Sequence, residues 1–104
     1  MYSRVTLLEI DTLRVDVEDV LREFEERILP NVRAMPGYEG VVVMVTPEGK
    51  GMVVSFWGSE EAVEASASLA ASAAEEFVTV YRAPAGREHY RIAFAEMPEV
   101  AVAS

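Results

Sequence analysis

The sequence contains no cysteine and a single histidine, and each scarcity excludes a class of chemistry. Without cysteine there are no disulfides, no thiol nucleophiles and no thiolate metal sites. One histidine, His89, is too few to form the paired imidazole ligands of zinc hydrolases and zinc deaminases. Thiol-dependent enzymes and zinc enzymes of that kind are therefore excluded.

Basic residues and long apolar runs are also scarce. Nine Lys and Arg residues stand against eighteen Asp and Glu residues, which gives a formal net charge of −9. Nucleic-acid backbones and anionic membrane surfaces need clustered positive charge, so we expect neither as a partner. The longest apolar run, residues 41–45, is far shorter than the ~18 residues that span a bilayer. The start of the chain does not look like a signal peptide, and we expect a cytoplasmic protein.

What is present is the composition of a globular protein, with 51% hydrophobic and 26% charged residues among 104. The pattern predicts a strand over residues 4–10 and a helix from an Asp16 N-cap to residues 36–37, kinked at Pro30. Strands over residues 38–46 and 52–57 follow, joined by a turn at residues 47–51. Ser59 is predicted to cap an alanine-rich second helix, whose end stays open because residues 78–81 have strand propensity.

A fourth strand over residues 88–96 and a tail over residues 97–104 complete the prediction. The order strand, helix, strand, strand, helix, strand is that of the ferredoxin-like (βαββαβ) α+β fold. It implies one domain over residues 1–104, in which a four-stranded antiparallel sheet carries two helices on one face.

The predicted strands are apolar on both faces. Because successive strand residues point to opposite sides, Val42 and Met44 oppose Val41, Val43 and Val45, and the first and third strands repeat the pattern. Roughly eight apolar side chains, on the order of 800 Å², would remain uncovered, more than the ~300–600 Å² patch of a typical monomer. Their burial is worth ~20 kcal/mol gross, against association costs of about 4–15 kcal/mol. We therefore expect a homodimer that stacks sheet on sheet. A monomer whose tail covers the sheet is the alternative.

Two local motifs stand out: the Pro-Gly-aromatic turn MPGYEG at residues 35–40, and the segment SFWGSEEA at residues 55–62, in which Trp57 precedes a Ser-Glu helix cap. Together with the predicted fold, they resemble the antibiotic-biosynthesis-monooxygenase-like family of dimeric α+β barrels. The resemblance extends from Arg4 to about Pro98. It implies a dimeric ferredoxin-like barrel, and a function among cofactor-free quinone-forming oxygenases and heme-degrading oxygenases. The wider superfamily adds lactone isomerases, stress-induced proteins and ligand-sensing domains, so the fold does not select one activity.

The heme-degrading pattern can be compared position by position. It has an Asn in the first strand, a Trp after the third strand and an iron-binding His in the following helix. Trp57 matches, but residues 4–10 contain no Asn, and Ser66 and Ala67 stand at the His position. The resemblance thus argues against heme breakdown of that type, and we expect no cofactor and no metal.

Cofactor-free oxygenation needs an electron-rich substrate that loses a proton before it reacts with oxygen. The protein must supply a dry aromatic pocket, a base and donors for the developing anion. His89 is the candidate base because it alone has an ordinary pKa near neutrality. Arg91, on the same predicted strand face, is the candidate oxyanion donor. The candidate substrate-binding residues are Trp57, Phe24 and Tyr81.

Each candidate also has a structural interpretation. His89 and Arg91 suit an edge strand, where charge discourages aggregation. Trp57 suits a cap on the core, and Phe24 and Tyr81 suit ordinary packing. The predicted function is a cofactor-independent monooxygenase of a small phenolic, quinol or enolic metabolite. A non-enzymatic small-molecule-binding or stress-associated dimer is the alternative, and an isomerase that uses the same acid–base group is a third possibility.

Overall fold

An antiparallel sheet with helices on one face forms the fold, as the element order predicts. The computed structural model describes residues 1–67, 78–81 and 89–96. The strands are β1 (Tyr2–Ile10), β2 (Tyr38–Val45), β3 (Lys50–Trp57), β4 (Val78–Tyr81) and β5 (His89–Arg91). The helices are α1 (Val17–Glu23), α2 (Leu29–Arg33) and α3 (Glu60–Ala65), and a π-helical turn (Phe24–Ile28) joins α1 to α2. The predicted α+β class is confirmed, with five strands among the described residues in place of the predicted four.

The sheet has the strand order β2-β3-β1-β4, and β5 also pairs with β1. Strand β4 pairs with residues 7–10 of β1, and β5 pairs with residues 2–4 of the same strand. Both pairings are antiparallel, so the two short strands follow each other along one edge of β1. This is the ferredoxin-like order, with its fourth strand divided into two pieces.

The fourth strand differs from the prediction of a single strand over residues 88–96. Residues 78–81, whose strand propensity left the end of the second helix open, form β4. At the other end β5 stops at Arg91, opposite Tyr2, and one further bond joins the Ile92 N–H to the Met1 carbonyl at 2.9 Å. Because β1 begins at Tyr2, it offers residues 92–96 no further partner. The predicted tail at residues 97–104 lies outside the described residues.

The first helical segment continues through Pro30 and widens just before it. A π-helical turn lies at this point, in which the Leu29 N–H donates to the Phe24 carbonyl five residues back, and the predicted kink at Pro30 stays a prediction. A proline ring clashes with the carbonyl four residues earlier and supplies no N–H of its own. Pro30 lies in the first turn of α2, where a missing donor is tolerated best.

The two predicted N-caps are in place but differ in their bonding. The Ser59 Oγ accepts a hydrogen bond from the Ala62 N–H at 3.1 Å. Asp16 has the extended conformation of an N-cap, yet its carboxylate makes no capping hydrogen bond. Only the serine is therefore a side-chain cap. The alanine-rich continuation of the second helix beyond residue 67 lies outside the described residues.

We expect Ser59→Ala to lower the free energy of unfolding by ~1 kcal/mol, because the Ala62 N–H loses its acceptor. Urea unfolding followed by circular dichroism measures the change. Asp16→Ala is the matched control, and it should cost less because no capping bond is lost. Equal losses in the two variants would contradict the assignment.

The core lies between the sheet and the helices, around Trp57. Trp57 is 1% exposed and Val63 of α3 is 0% exposed, and Leu29 and Val32 of α2 complete the buried cluster. Its partly buried neighbours are Tyr2, Phe24, Ile28, Met35, Tyr38, Val41 and Ala62. The Tyr38 ring meets the Trp57 ring edge-on, with centroids 5.8 Å apart. The helix-covered face of the sheet is thus packed around one indole.

The Pro-Gly-aromatic turn requires a glycine at residue 37 because of its backbone conformation and its close packing. Gly37 has φ +84°, a backbone conformation that favours glycine. A Cβ atom at this position would come within 2.6 Å of the Ala62 Cβ. The Gly37 carbonyl also accepts from the Gly58 N–H at 2.8 Å. The glycine therefore lets the turn approach the start of α3.

The opposite face of the sheet, called here the open face, is apolar. Cross-strand pairing aligns Val42, Val54 and Val5 in one row. The remaining apolar residues on this face are Leu7, Met44, Met52, Phe56 and Tyr90. Leu7, Met44 and Tyr90 are between 46% and 50% exposed. The prediction that these strands are apolar on both faces is confirmed, and no described helix covers this one.

Candidate functional site

Most of the candidate residues lie in two adjacent cross-strand rows of the helix-covered face. The first row consists of Tyr38, Trp57, Tyr2 and Arg91, and the second row of Val41, Ser55, Arg4 and His89. Strand β1 is the central strand of both rows. Trp57 therefore lies on the same face of the sheet as His89 and Arg91, and β1 separates it from them.

Trp57 is positioned at the end of β3, where the chain turns into α3. Its Nε1–H donates to the Ser55 Oγ at 2.8 Å, so this donor is bonded within the protein. Trp57 is 1% exposed, so it lies in the core, as its structural interpretation predicts. Trp57 can therefore contribute to a site only through its ring, which packs beneath the surface residues.

Phe24 is partly buried against the Trp57 cluster and begins the π-helical turn. Such turns occur often at functional sites, because the extra residue redirects the side chains that flank it. Phe24 thus approaches the first row from the helix layer, opposite the sheet. Core packing and a pocket wall both remain compatible with this placement.

The other three candidates lie on the edge strands. Arg91 is exposed and pairs with Tyr2, and His89 pairs with Arg4. Tyr81 pairs with Leu7, in a different row from the other candidates. The side chains of His89 and Tyr81 lie outside the described part of the structure. The backbone therefore brings His89 and Arg91 near Trp57 and does not bring Tyr81 there.

Two residues that the sequence analysis did not select occupy the middle of these rows. Tyr2 lies between Trp57 and Arg91, and Arg4 lies between Ser55 and His89. Arg4 is 8% exposed, although arginine is rarely buried without partners. The only sequence signal for Arg4 is a single basic residue at the start of a mostly apolar strand. Its importance follows only from the register.

The Arg4 guanidinium joins β1 to the last turn of α3. Its Nε donates to the Ser66 Oγ at 2.8 Å, and its Nη2 donates to the Val63 carbonyl at 2.8 Å. The Ser66 hydroxyl donates to the same carbonyl at 2.6 Å. Carbonyls at the C-terminal end of a helix carry partial negative charge, which favours a cation there. Within the described residues, no buried side-chain nitrogen or oxygen lacks a hydrogen-bond partner.

Comparison with known proteins adds a family and a fold. The family model described as antibiotic biosynthesis monooxygenase matches residues 7–78. The structure of the heme-degrader MhuD from Mycobacterium tuberculosis, with two hemes bound in its active site, is similar with a TM-score of 0.60 and 18% identity, over 93% of this chain and 100% of that chain. A heme-free structure with cleaved protein has a TM-score of 0.55 and 19% identity, over 93% of this chain and 98% of that chain. At these identities the likeness concerns the fold. No curated protein matches significantly.

The donor set of this chain does not fit a heme held through α3. Ser66, at the position where the heme-degrading pattern has its His, is 3% exposed and hydrogen-bonded to both Arg4 and Val63. A hydroxyl bonded in this way is not a ligand for iron, which imidazole suits. Among the described residues, no cluster of three His, Cys, Asp or Glu side chains forms a metal site. None of the described helices is long and apolar enough to cross a membrane.

Proposed function

We propose that this chain, which belongs to the antibiotic biosynthesis monooxygenase family, is a cofactor-independent monooxygenase of a small phenolic, quinol or enolic metabolite. Family membership supports a monooxygenase-type or small-molecule-binding function. The observation that carries the finer proposal is the register of β1 with β3 and β5, in which His89 and Arg91 share a sheet face with Trp57, with β1 between them. These residue types are the ones that proton abstraction and anion stabilisation require.

In the proposed reaction His89 takes a proton from the substrate and leaves an electron-rich anion that reacts with oxygen. For a methylene group activated by a phenolic ring, one oxygen atom becomes the new carbonyl oxygen and the other leaves as water. The two methylene hydrogens end up in that water, so the reaction needs no external reductant. Protein groups that hold the anion lower the barrier to its formation.

The described residues support this chemistry in two ways. Trp57, Tyr2 and Tyr38 form a packed aromatic layer beneath the proposed site, and Phe24 packs against it from the helix layer. Such a layer would form one wall of a water-excluding pocket, in which electrostatic interactions are stronger. The guanidinium of Arg91 is exposed at the sheet edge and is the proposed donor to the substrate oxyanion. Tyr81 stays a proposed substrate contact on sequence grounds alone.

The proposed functional unit is a homodimer that joins two copies through the open face. Burial of this face would remove the apolar rows centred on Val54 from water in both copies. Small-molecule substrate and the second copy are the proposed partners, and nucleic acid and membrane are not. The cytoplasm is the proposed location.

The proposal is tested by measuring oxygen uptake with a panel of quinols and of compounds whose methylene group is activated by a phenolic ring. We expect His89→Ala to lower kcat by about 10²–10⁴-fold, the usual contribution of a positioned base. Glu18→Ala, an exposed position on helix α1, is the matched control and should retain activity. Aerobic turnover that is unchanged in His89→Ala would remove His89 from the mechanism. Turnover without oxygen uptake would favour the isomerase, and binding without turnover would favour the non-enzymatic dimer.

A further inference from the structure

We propose that Tyr2 is a substrate-binding residue whose phenol donates a hydrogen bond to the same substrate oxyanion as the Arg91 guanidinium. The inference rests on the proposed function, in which Arg91 is the donor to that oxyanion. An aromatic anion, such as a phenolate, is then the ligand that the site prefers. Water screens a donor at the exposed edge of a sheet, so the oxyanion gains from a second donor that lies closer to the core.

The strand register places Tyr2 next to Arg91. Tyr2 is opposed to Trp57 on one side and to Arg91 on the other. In an antiparallel pair, the Cβ atoms of opposed residues lie ~4.5–5.5 Å apart. Tyr38, the other tyrosine of the row, lies on β2, three strand spacings or ~14 Å from β5. Tyr2 is therefore the phenol of this row that can share a ligand with Arg91.

The core holds the ring of Tyr2 in place. Tyr2 is partly buried and packs against the cluster formed by Leu29, Val32, Trp57 and Val63. A tyrosine side chain has only two χ angles, so it loses little conformational freedom when its hydroxyl binds a ligand. Packing of the ring against the core reduces that loss further. Tyr2 is therefore a pre-organised donor.

The Tyr2 hydroxyl reaches the surface above the aromatic layer. It makes no hydrogen bond with the residues that the structure describes. Among those residues every buried side-chain oxygen has a partner, so a hydroxyl without one is in contact with solvent. The neighbouring Trp57 Nε1–H, in contrast, is bonded to the Ser55 Oγ at 2.8 Å. The phenol of Tyr2 is therefore a donor that this layer still offers to a ligand.

Arg91 supplies the charge of the proposed pair. It is exposed, and within the described part of the chain its guanidinium takes part in no ion pair. Arg4, which lies on the same face, is instead bonded to the Val63 carbonyl and the Ser66 hydroxyl of the helix layer. The donors of Arg91 are therefore available to a ligand that also contacts Tyr2.

A guanidinium and a phenol on adjacent strands form a two-donor site for the oxygen of an anion. The guanidinium contributes a permanent charge, and hydrogen bonds from a charged donor are about twice as strong as neutral ones. The phenol contributes one directed O–H group, whose bond is stronger when the acceptor is ionised. A neutral ring of the same shape gains neither effect. We therefore expect an anionic ring to bind more tightly than its neutral counterpart.

Binding of para-nitrophenolate to the full-length protein tests the inference without turnover, because this probe has no methylene group to oxygenate. The comparison ligand is para-nitrotoluene, which keeps the ring and the nitro group and has a methyl group in place of the phenolate oxygen. The single tryptophan gives one indole N–H signal in a heteronuclear NMR spectrum, and its shift follows occupancy. We expect the wild type to bind the phenolate more tightly than the toluene by about tenfold or more.

Tyr2→Phe keeps the ring that packs against Trp57 and removes only the hydroxyl. It should weaken phenolate binding about tenfold, as the loss of one hydrogen bond to a charged group does, and leave para-nitrotoluene binding unchanged. Arg91→Gln removes the charge and should weaken phenolate binding at least as much. Tyr90→Phe is the matched control, because it removes a phenol from β5 on the open face, and it should bind both probes as the wild type does.

A folded Tyr2→Phe variant that binds the phenolate as tightly as the wild type would overturn the proposal, and circular dichroism establishes the folding. The wild type alone supplies a second test, which does not depend on that variant. Nuclear Overhauser contacts should join the bound phenolate to the Tyr2 ring, and their absence refutes the assignment. Equal affinity of the wild type for the two probes, or no saturable binding of the phenolate, refutes the two-donor site.

This measurement is independent of oxygenase activity, because the probe is not turned over. If Tyr2→Phe loses phenolate affinity but the wild type takes up no oxygen with any substrate of the panel, the anion site stands and the monooxygenase falls. If the wild type takes up oxygen but Tyr2→Phe keeps its phenolate affinity, the monooxygenase stands and the role of Tyr2 falls. Where both hold, Tyr2→Phe should lower kcat by on the order of 10²-fold, as removal of one oxyanion donor does.

Discussion

Trp57→Ala is expected to lower the free energy of unfolding by ~3–5 kcal/mol, the range for truncation of a large buried aromatic residue. Trp57 is 1% exposed and contacts the buried residues of α2 and α3 as well as the Tyr38 ring. Its removal leaves a cavity beneath both helices and takes the donor from the Ser55 hydroxyl. Since small domains are stable by only about 5–15 kcal/mol, this loss is a large share of the total.

The measurement is urea unfolding followed by far-UV circular dichroism, because the variant lacks the only tryptophan of the chain. Variants are compared at equal protomer concentration, since association would add to the apparent stability. Trp57→Phe keeps an aromatic ring without the N–H donor and should lose less, ~1–2 kcal/mol. A loss below about 1 kcal/mol in Trp57→Ala would contradict the core assignment. It would favour a tryptophan that lines a cavity and already lacks neighbours on one side.

The elements that the sequence predicts well are those with local signals. The hairpin of β2 and β3 follows from two apolar runs around a turn with Pro47 and Gly49, and Ser59 followed by two glutamates predicts the start of α3. The two apolar faces follow from period-2 alternation, which needs no knowledge of neighbouring strands. These predictions agree with the structure to within two residues at each strand end of the hairpin.

The predictions that differ depend on contacts between distant segments. Residues 92–96 alternate like a strand, but pairing ends where β1 ends, and no local pattern encodes that limit. The strand propensity of residues 78–81 is visible in the sequence. These residues form a strand because residues 7–10 of β1 pair with them, and the sequence does not show that pairing.

The candidate site shows the same division. His89, Arg91 and Trp57 are selected by their chemistry, and the register places them on one face of the sheet, with β1 between Trp57 and the other two. Tyr2 and Arg4 carry no motif, and their positions between the other candidates depend on the alignment of three strands. The bond from Arg4 to Ser66 joins residues 62 positions apart, so it is beyond local sequence patterns. The strand register is therefore the information that the sequence patterns lack, because it decides which of the suitable residues lie side by side on the sheet.

Val54→Asp is expected to abolish the proposed homodimer and leave a folded monomer. Val54 lies at the centre of the open face, paired with Val42 on one side and with Val5 on the other. If two open faces stack, a carboxylate at this position loses its water and gains no partner, which costs about 3–5 kcal/mol for each uncompensated charge. Symmetry places the substitution in both copies, so the penalty applies twice. In the monomer the same side chain stays hydrated.

Sedimentation velocity at micromolar concentration measures the outcome, with the wild type expected at twice the 11.5 kDa of one chain. Asn31→Asp, an exposed position on α2, adds the same charge in the helix layer and should stay dimeric. Circular dichroism establishes that Val54→Asp is folded. A monomeric wild type would contradict the dimer, and a dimeric Val54→Asp variant would assign the interface to another surface. In either case the apolar rows of the open face would need a different cover, because the area of eight such side chains, on the order of 800 Å², exceeds the ~300–600 Å² that a stable monomer usually exposes.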